Sequence, residues 1–265
     1  MTLRQQFFAQ GRAADCPIFD LHGHMGPIFA GSFHNTDAAS MTAVMERAGV
    51  KMLVFCHHAA LLNPNIGNRS NIEAVRQFPK VLRAYCGLNP SYPDVIEQDV
   101  ASYDSYADVY VGFKMLSDYH RIAVTDPRYE PAWRLADQRG LPVLLHTWGG
   151  SPYDGPEPAR KAAEKYPRAQ ILLGHSCHGD WDKAIQLARD FPNICLDTCA
   201  LLDERGIVER LVGELGADRI FFGTDFPWFS YHYYIGALLG CGLSDADCRK
   251  IFYLNARRIL RMKTP

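Results

Sequence analysis

Pro142-Val143-Leu144-Leu145-His146 is an apolar run that ends in an imidazole. It shows no inside–outside alternation, so both faces of such a strand must be buried, as in a parallel sheet covered by helices. Ile171-Leu172-Leu173-Gly174-His175 repeats the pattern, and Ile220-Phe221-Phe222-Gly223 leads into Thr224-Asp225. The earliest strand, within Pro17-Ile18-Phe19-Asp20-Leu21-His22-Gly23-His24, also runs into imidazoles. Alternation places His22 and His24 on the same side of that extended segment.

Between these runs lie amphipathic segments. Strands are expected up to 22 and over 51–57, 81–88, 109–115, 142–146, 170–174, 193–197 and 219–223. Helices are expected near 37–48, 70–78, 93–106, 131–139, 158–166, 181–190, 204–215 and 231–239, with a final helix capped by Ser244 and running to Leu260. Each strand is followed by a helix. This is an α/β chain whose eight units predict a closed (β/α)8, or TIM, barrel. A doubly wound open sheet explains less well why so many strands end in polar residues. One domain is expected over 1–265, with 1–15 as an N-terminal extension and 244–262 as a closing helix.

The formal net charge is -1, from 28 basic and 29 acidic side chains, with no charge run. That balance does not favour nucleic acid or an anionic membrane as partner. No segment has the length of apolar chain a membrane span needs, and Met1–Phe8 lacks a signal-peptide core. The eight cysteines are scattered, several within apolar strands, which fits buried thiols in a reducing, cytoplasmic setting.

In a barrel of this kind the active site is built from the C-terminal strand ends. Those ends carry His22 and His24, Lys114 in Gly112-Phe113-Lys114, His146, His175, and Asp225 in Gly223-Thr224-Asp225-Phe226-Pro227-Trp228. Imidazoles and a carboxylate converging on one mouth make a nitrogen and oxygen site for zinc, or for manganese, iron or nickel. Each residue alone has a plainer role. A histidine after a strand can simply be packed, Asp225 can cap a helix, and Lys114 can reach to the surface. Further candidates for substrate contact are His57 or His58 at the end of the second strand, Arg69 beyond it, Tyr119 and His120 after the fourth, and Trp148, Trp228, Phe229 and Tyr231 as an aromatic wall. Cys177, after His175, is more simply read as part of a tight loop than as a soft ligand.

Taken in order, His22-Gly23-His24, Gly112-Phe113-Lys114, Leu145-His146-Thr147, Gly174-His175 with Trp181 beyond, and Gly223-Thr224-Asp225-Phe226-Pro227 resemble the amidohydrolase superfamily. The similarity is to its amidohydrolase-2 branch, which includes aminocarboxymuconate semialdehyde decarboxylase-like enzymes. Asn255-Ala256-Arg257-Arg258-Ile259-Leu260 also resembles that branch, so the likeness spans His22 to Leu260. It implies one divalent metal, usually zinc, on His22, His24, His146 and Asp225, with His175 beside it to polarise substrate or move a proton. It also implies the alternative of two metals bridged by a carbamylated Lys114, with His175 completing the second site. A plain salt bridge or contact with a substrate anion is the other role for Lys114. Barrels of the branch are often homodimers.

Three functional readings follow. The first is a hydrolase whose metal-activated water attacks a small amide, lactone or ester, with Asp225 taking the proton. The second is a non-oxidative decarboxylase of an aromatic or unsaturated carboxylic acid, on the same ligands. The third is a non-catalytic metal-binding barrel, against which the intact set of Asp225 and His175 argues.

Overall fold

Eight parallel strands run in sequential order around the molecule: β1 Ile18–Met25, β2 Val50–His57, β3 Leu82–Leu88, β4 Tyr110–Met115, β5 Pro142–Trp148, β6 Gln170–His178, β7 Ile194–Asp197 and β8 Ile220–Phe221. The computed structural model describes residues 1–202 and 204–262. Helices alternate with the strands, so the barrel expected from the apolar runs is the fold of the chain. Leu21, Val54, Tyr85, Leu144, Leu172, Cys195 and Phe221 form one buried cluster, supplied by seven different strands. A second, larger cluster packs strand residues such as Leu53, Phe55, Val143 and Ile171 with helix residues such as Met41, Ala136 and Ala184. The continuous apolar runs are thus buried on both sides, as their sequence required.

Closure depends on the first strand and the chain beyond the last. β8 itself pairs with β7 over only two residues, Ile220 and Phe221. Beyond them Leu21 N–H donates to Phe222 O (3.0 Å), Asp225 N–H to His22 O (2.7 Å) and His24 N–H to Phe226 O (2.6 Å). Buried Asp20 fastens this seam from the side. It accepts from Thr224 Oγ1 at 2.5 Å, Thr224 N–H at 3.2 Å and His22 N–H at 2.9 Å. Backbone and carboxylate groups here are satisfied only if the two chain segments stay joined.

Three departures from the expected helices stand out. The helix after β2 begins at Pro64, not near Ser70, after a short turn of helix at His58–Leu62. Asn63 caps it by accepting from Ile66 N–H, and Pro64 occupies its first turn. The expected 93–106 helix stops at Ala101 and continues as a tight 3-10 turn over Tyr103–Tyr106. The closing helix is not continuous: Asp245–Arg249 and Asn255–Ile259 are joined by a wide π turn at Lys250–Leu254. That turn lets Ile251 O accept from Phe222 N–H, while Asn255 Nδ2 donates to Ala217 O and Ile220 O. The wide turn thereby serves β8, which explains why β8 needs so little pairing with β7.

Replacing Thr224 by Val keeps shape but removes two hydrogen bonds of the seam, the one to Asp20 and the one accepted from Phe226 N–H. Urea unfolding is expected to show a loss of about 1–3 kcal/mol, the range for leaving a buried polar group unpaired. An unchanged midpoint would mean that the seam does not limit stability.

Candidate active site

The closing seam delivers the side chains that the sequence singles out. β1 carries His22 and His24 on one side, their rings 5.6 Å apart. The bond from Asp225 N–H to His22 O then brings the Asp225 carboxylate against them. Asp225 Oδ1 lies 3.1 Å from His24 Nε2 and 3.5 Å from His22 Nε2, while Oδ2 lies 3.6 Å from His175 Nε2. Gly174 and Gly223 make room for the His22 ring. A Cβ at Gly174 would stand 2.8 Å from His22 Cε1, and one at Gly223 would stand 2.9 Å from His22 Cβ.

Three of these histidines are held from behind through their other nitrogen. His22 Nδ1 contacts Asp197 Oδ2 at 2.6 Å, with both side chains fully buried. His24 Nδ1 faces Cys56 O at 3.1 Å, and His146 Nδ1 faces Asp154 Oδ2 at 3.3 Å. Donation of Nδ1–H to these oxygens selects the tautomer whose Nε2 lone pair is free. Burial, followed by the nearby Lys114 charge, keeps the His22 pKa well below the ordinary imidazole range, so its ring is neutral. Burial opposes ionisation of Asp225, yet the imidazoles of His175, His24 and His22 around it outweigh that and hold the carboxyl well below its usual range.

His175 is the exposed nerve of this arrangement. Its ring is buried and neither nitrogen has a hydrogen-bond partner among the described residues. Burial lowers its pKa to about 4. Its backbone is left-handed, with φ 65°, and Ser176 (49°) and Cys177 (53°) continue that conformation. Asp225 is left-handed too, with φ 60°. Such residues are each strained by about 1–3 kcal/mol and persist where surrounding bonds over-determine them. Here His175 N–H donates to Asp197 Oδ1 (2.8 Å), Ser176 Oγ–H to Asp197 O (2.8 Å) and Cys177 N–H to Thr147 Oγ1 (2.9 Å).

Above these groups opens a cavity of about 220 Å³. Its floor includes His22, His24, Lys114, His146, His175 and Asp225, and its sides include Tyr119, Trp148, Trp228 and Phe229. Trp148 lies nearly parallel to His146 and edge-on to His175. Trp228 packs on Phe33 and donates its indole N–H to His58 Nε2 at 3.2 Å.

The sequence of the amidohydrolase family matches this chain over residues 20–262. The chain belongs to the amidohydrolase family. Gamma-resorcylate decarboxylase of Rhizobium sp. (strain MTP-10005) is 22% identical over 280 residues, covering 83% of this chain and 85% of that protein. In structure, the chain is similar to a 2,6-dihydroxybenzoate decarboxylase complexed with 2,6-dihydroxybenzoate, with TM-score 0.72, 17% identity, and 93% and 99% of the two chains covered. It is also similar to a dihydroxybenzoic acid decarboxylase of Polaromonas sp. JS666 with bound manganese and the inhibitor 2-nitroresorcinol, with TM-score 0.74, 16% identity and coverage of 94% and 98%. This amidohydrolase is therefore an enzyme by family.

The residues of this amidohydrolase fit a divalent metal. Donors at about 2.0–2.2 Å from one ion stand roughly 3–3.5 Å from each other, close to the spacings among His22, His24 and Asp225. The unpartnered nitrogens of buried His175 are a second sign of a missing ligand. Ligand atoms of His22, His175, Cys199 and Asp225 also all lie within 4.8 Å of one another.

Four residues expected to contact substrate do not line this cavity. His57 does not line the cavity; its Nδ1 accepts from Ala59 N–H and caps a helix, and the neighbouring His58 lines the cavity instead. Arg69 sits exposed on the helix Pro64–Gln77, because the helix starts earlier than expected and carries it outward. His120 turns behind the wall, where Nε2 meets Leu61 O at 2.6 Å. Tyr231 is buried under Phe226 and away from the cavity, and Cys177 is a buried thiol raised to about 12 by burial. Sequence reading also passed over Asp20, Asp154, Asp197 and Cys199. Asp197 ends the apolar stretch Ile194-Cys195-Leu196, and that position was its one available signal.

Asp197→Asn keeps the shape but weakens the grip on His22. Titration of metal-free protein with Mn²⁺ or Zn²⁺ is expected to show about 10–100-fold weaker binding with helix content retained. Equal affinity in the two proteins would contradict the role given to Asp197.

Proposed function

We propose that the chain is a metal-dependent decarboxylase of an aromatic carboxylic acid. The observation that carries this reading is the cavity, where flat aromatic side chains stand over a floor of imidazoles and one carboxylate. Such walls suit a planar ring. The decarboxylase relatives support the same choice over hydrolysis, the first expectation from sequence.

In this reading His22, His24, His146 and Asp225 hold one divalent cation. The imidazole-rich set suits zinc, and manganese is the ion in the Polaromonas relative. When bound, the cation supplies a Lewis acid that grips substrate oxygens and draws electron density from the ring.

The protein's own groups supply the rest. Decarboxylation breaks the bond between the ring carbon and the carboxyl carbon. The electron pair stays on the ring carbon, which takes a proton, and carbon dioxide leaves. Asp225 divides its two oxygens between jobs: Oδ1 faces His24 and His22, and Oδ2 faces His175. In this reading the neutral His175 ring, which carries one N–H, gives that proton to the ring carbon beside Asp225. Trp148 and Trp228 offer flat faces against which the ring can lie.

The test is a panel of hydroxylated aromatic acids, lactones and amides, assayed in ¹⁸O-labelled water. Release of carbon dioxide with no label in the aromatic product is expected, with loss of turnover on chelation. Asp225→Asn is expected to cut turnover by at least about 100-fold. Label entering the product of a cleaved ester or amide would support hydrolysis and contradict this reading.

A further inference from the structure

We propose that Lys114 is the anion-binding residue of the cavity, placing a negatively charged substrate oxygen beside His22. The inference rests on the aromatic-acid reading for the kind of molecule bound, and adds which side chain recognises its charge.

Four observations carry it. Lys114 is fully buried, yet it lines the cavity. It is the single lysine or arginine among the described lining residues. Its Nζ has one hydrogen-bond contact, to His22 Nε2 at 3.1 Å, and among the described residues no carboxylate lies within ion-pair distance of it. An ammonium has three N–H donors, so two remain to be satisfied.

A buried cation is stable only when paired. His58, which also lines the cavity, is engaged with protein: its Nδ1 donates to Gly26 O, and its Nε2 accepts from Trp228. Arg69, the residue expected to clasp a carboxylate, lies outside. Lys114 is therefore the one lysine or arginine that an anion meets among the described residues lining the cavity. Leu116 lies two positions further along the chain and also lines the cavity. Leu61 lines it as well, so apolar surface for a ring shares the cavity with Lys114.

The experiment uses Mn²⁺-loaded full-length protein and follows quenching of its tryptophan fluorescence. Benzoate and 2-hydroxybenzoate are titrated against their neutral isostere benzamide, with wild type, Lys114→Met and Lys114→Gln. Wild type is expected to bind the carboxylates at least about tenfold more tightly than benzamide. Both substitutions are expected to abolish that preference while leaving benzamide affinity, metal content and melting temperature near wild type. Lys114→Arg is expected to restore part of it. Retained preference in a folded Lys114→Gln protein would overturn the proposal, as would equal wild-type affinity for acid and amide. Two metals per chain with bicarbonate-dependent binding would also overturn it, because a carbamate at Lys114 would repel anions. The two readings fail separately. Lys114-dependent anion preference without carbon dioxide release sinks the decarboxylase reading alone. Carbon dioxide release by a protein whose anion preference ignores Lys114 sinks this inference alone.

Discussion

The hydrogen bond from Asp225 N–H to His22 O, 2.7 Å long, joins the two ends of the barrel and assembles its site in the same act. His22 and His24 come from the first strand, and Asp225 from the segment after the last, some two hundred residues later in the chain. The donor set is not complete until the barrel closes. Asp20 and Thr224 reinforce the same junction from within. A fold of this kind can place a carboxylate against two imidazoles without any local sequence motif joining them.

The surroundings of the seam serve rigidity more than diversity. Asp197 alone holds three things: the His22 ring, the His175 backbone and the Cys199 backbone. The left-handed backbone at His175, Ser176 and Cys177 is tolerated because Asp197 and Thr147 supply its hydrogen bonds. Strain and fixation at one point are what a preorganised site needs, since donors held in place need no reorganisation when charge develops. The aromatic walls are held in a similar way, with His58 accepting from Trp228 while stacked 4.7 Å from His24.

The barrel was legible in the sequence because a strand buried on both faces can tolerate few polar residues, and Val143-Leu144-Leu145 and Ile171-Leu172-Leu173 obey that constraint without help from distant parts of the chain. His22, His24, His146, His175, Lys114 and Asp225 were legible as a group for a related reason: each lies at or just beyond the end of a mostly apolar run, and all line one cavity. The groups behind them were not. Asp197 reads as one more strand-end carboxylate, and only the position of His22 across the barrel gives it a task. Asp154 lies in a loop with no periodicity to mark it. Arg69 and His57 show the opposite failure. Their exposure and direction depend on where a helix begins, and Asn63-Pro64 starts it earlier than its apolar pattern suggests.

The most direct test of this account is a crystal structure of the metal-loaded protein with anomalous scattering from the bound ion. The account predicts one ion bonded to His22, His24, His146 and Asp225 at about 2.0–2.2 Å, the usual range for such ligands. An ion bound away from the seam, or no ion bound under saturating metal, would contradict it.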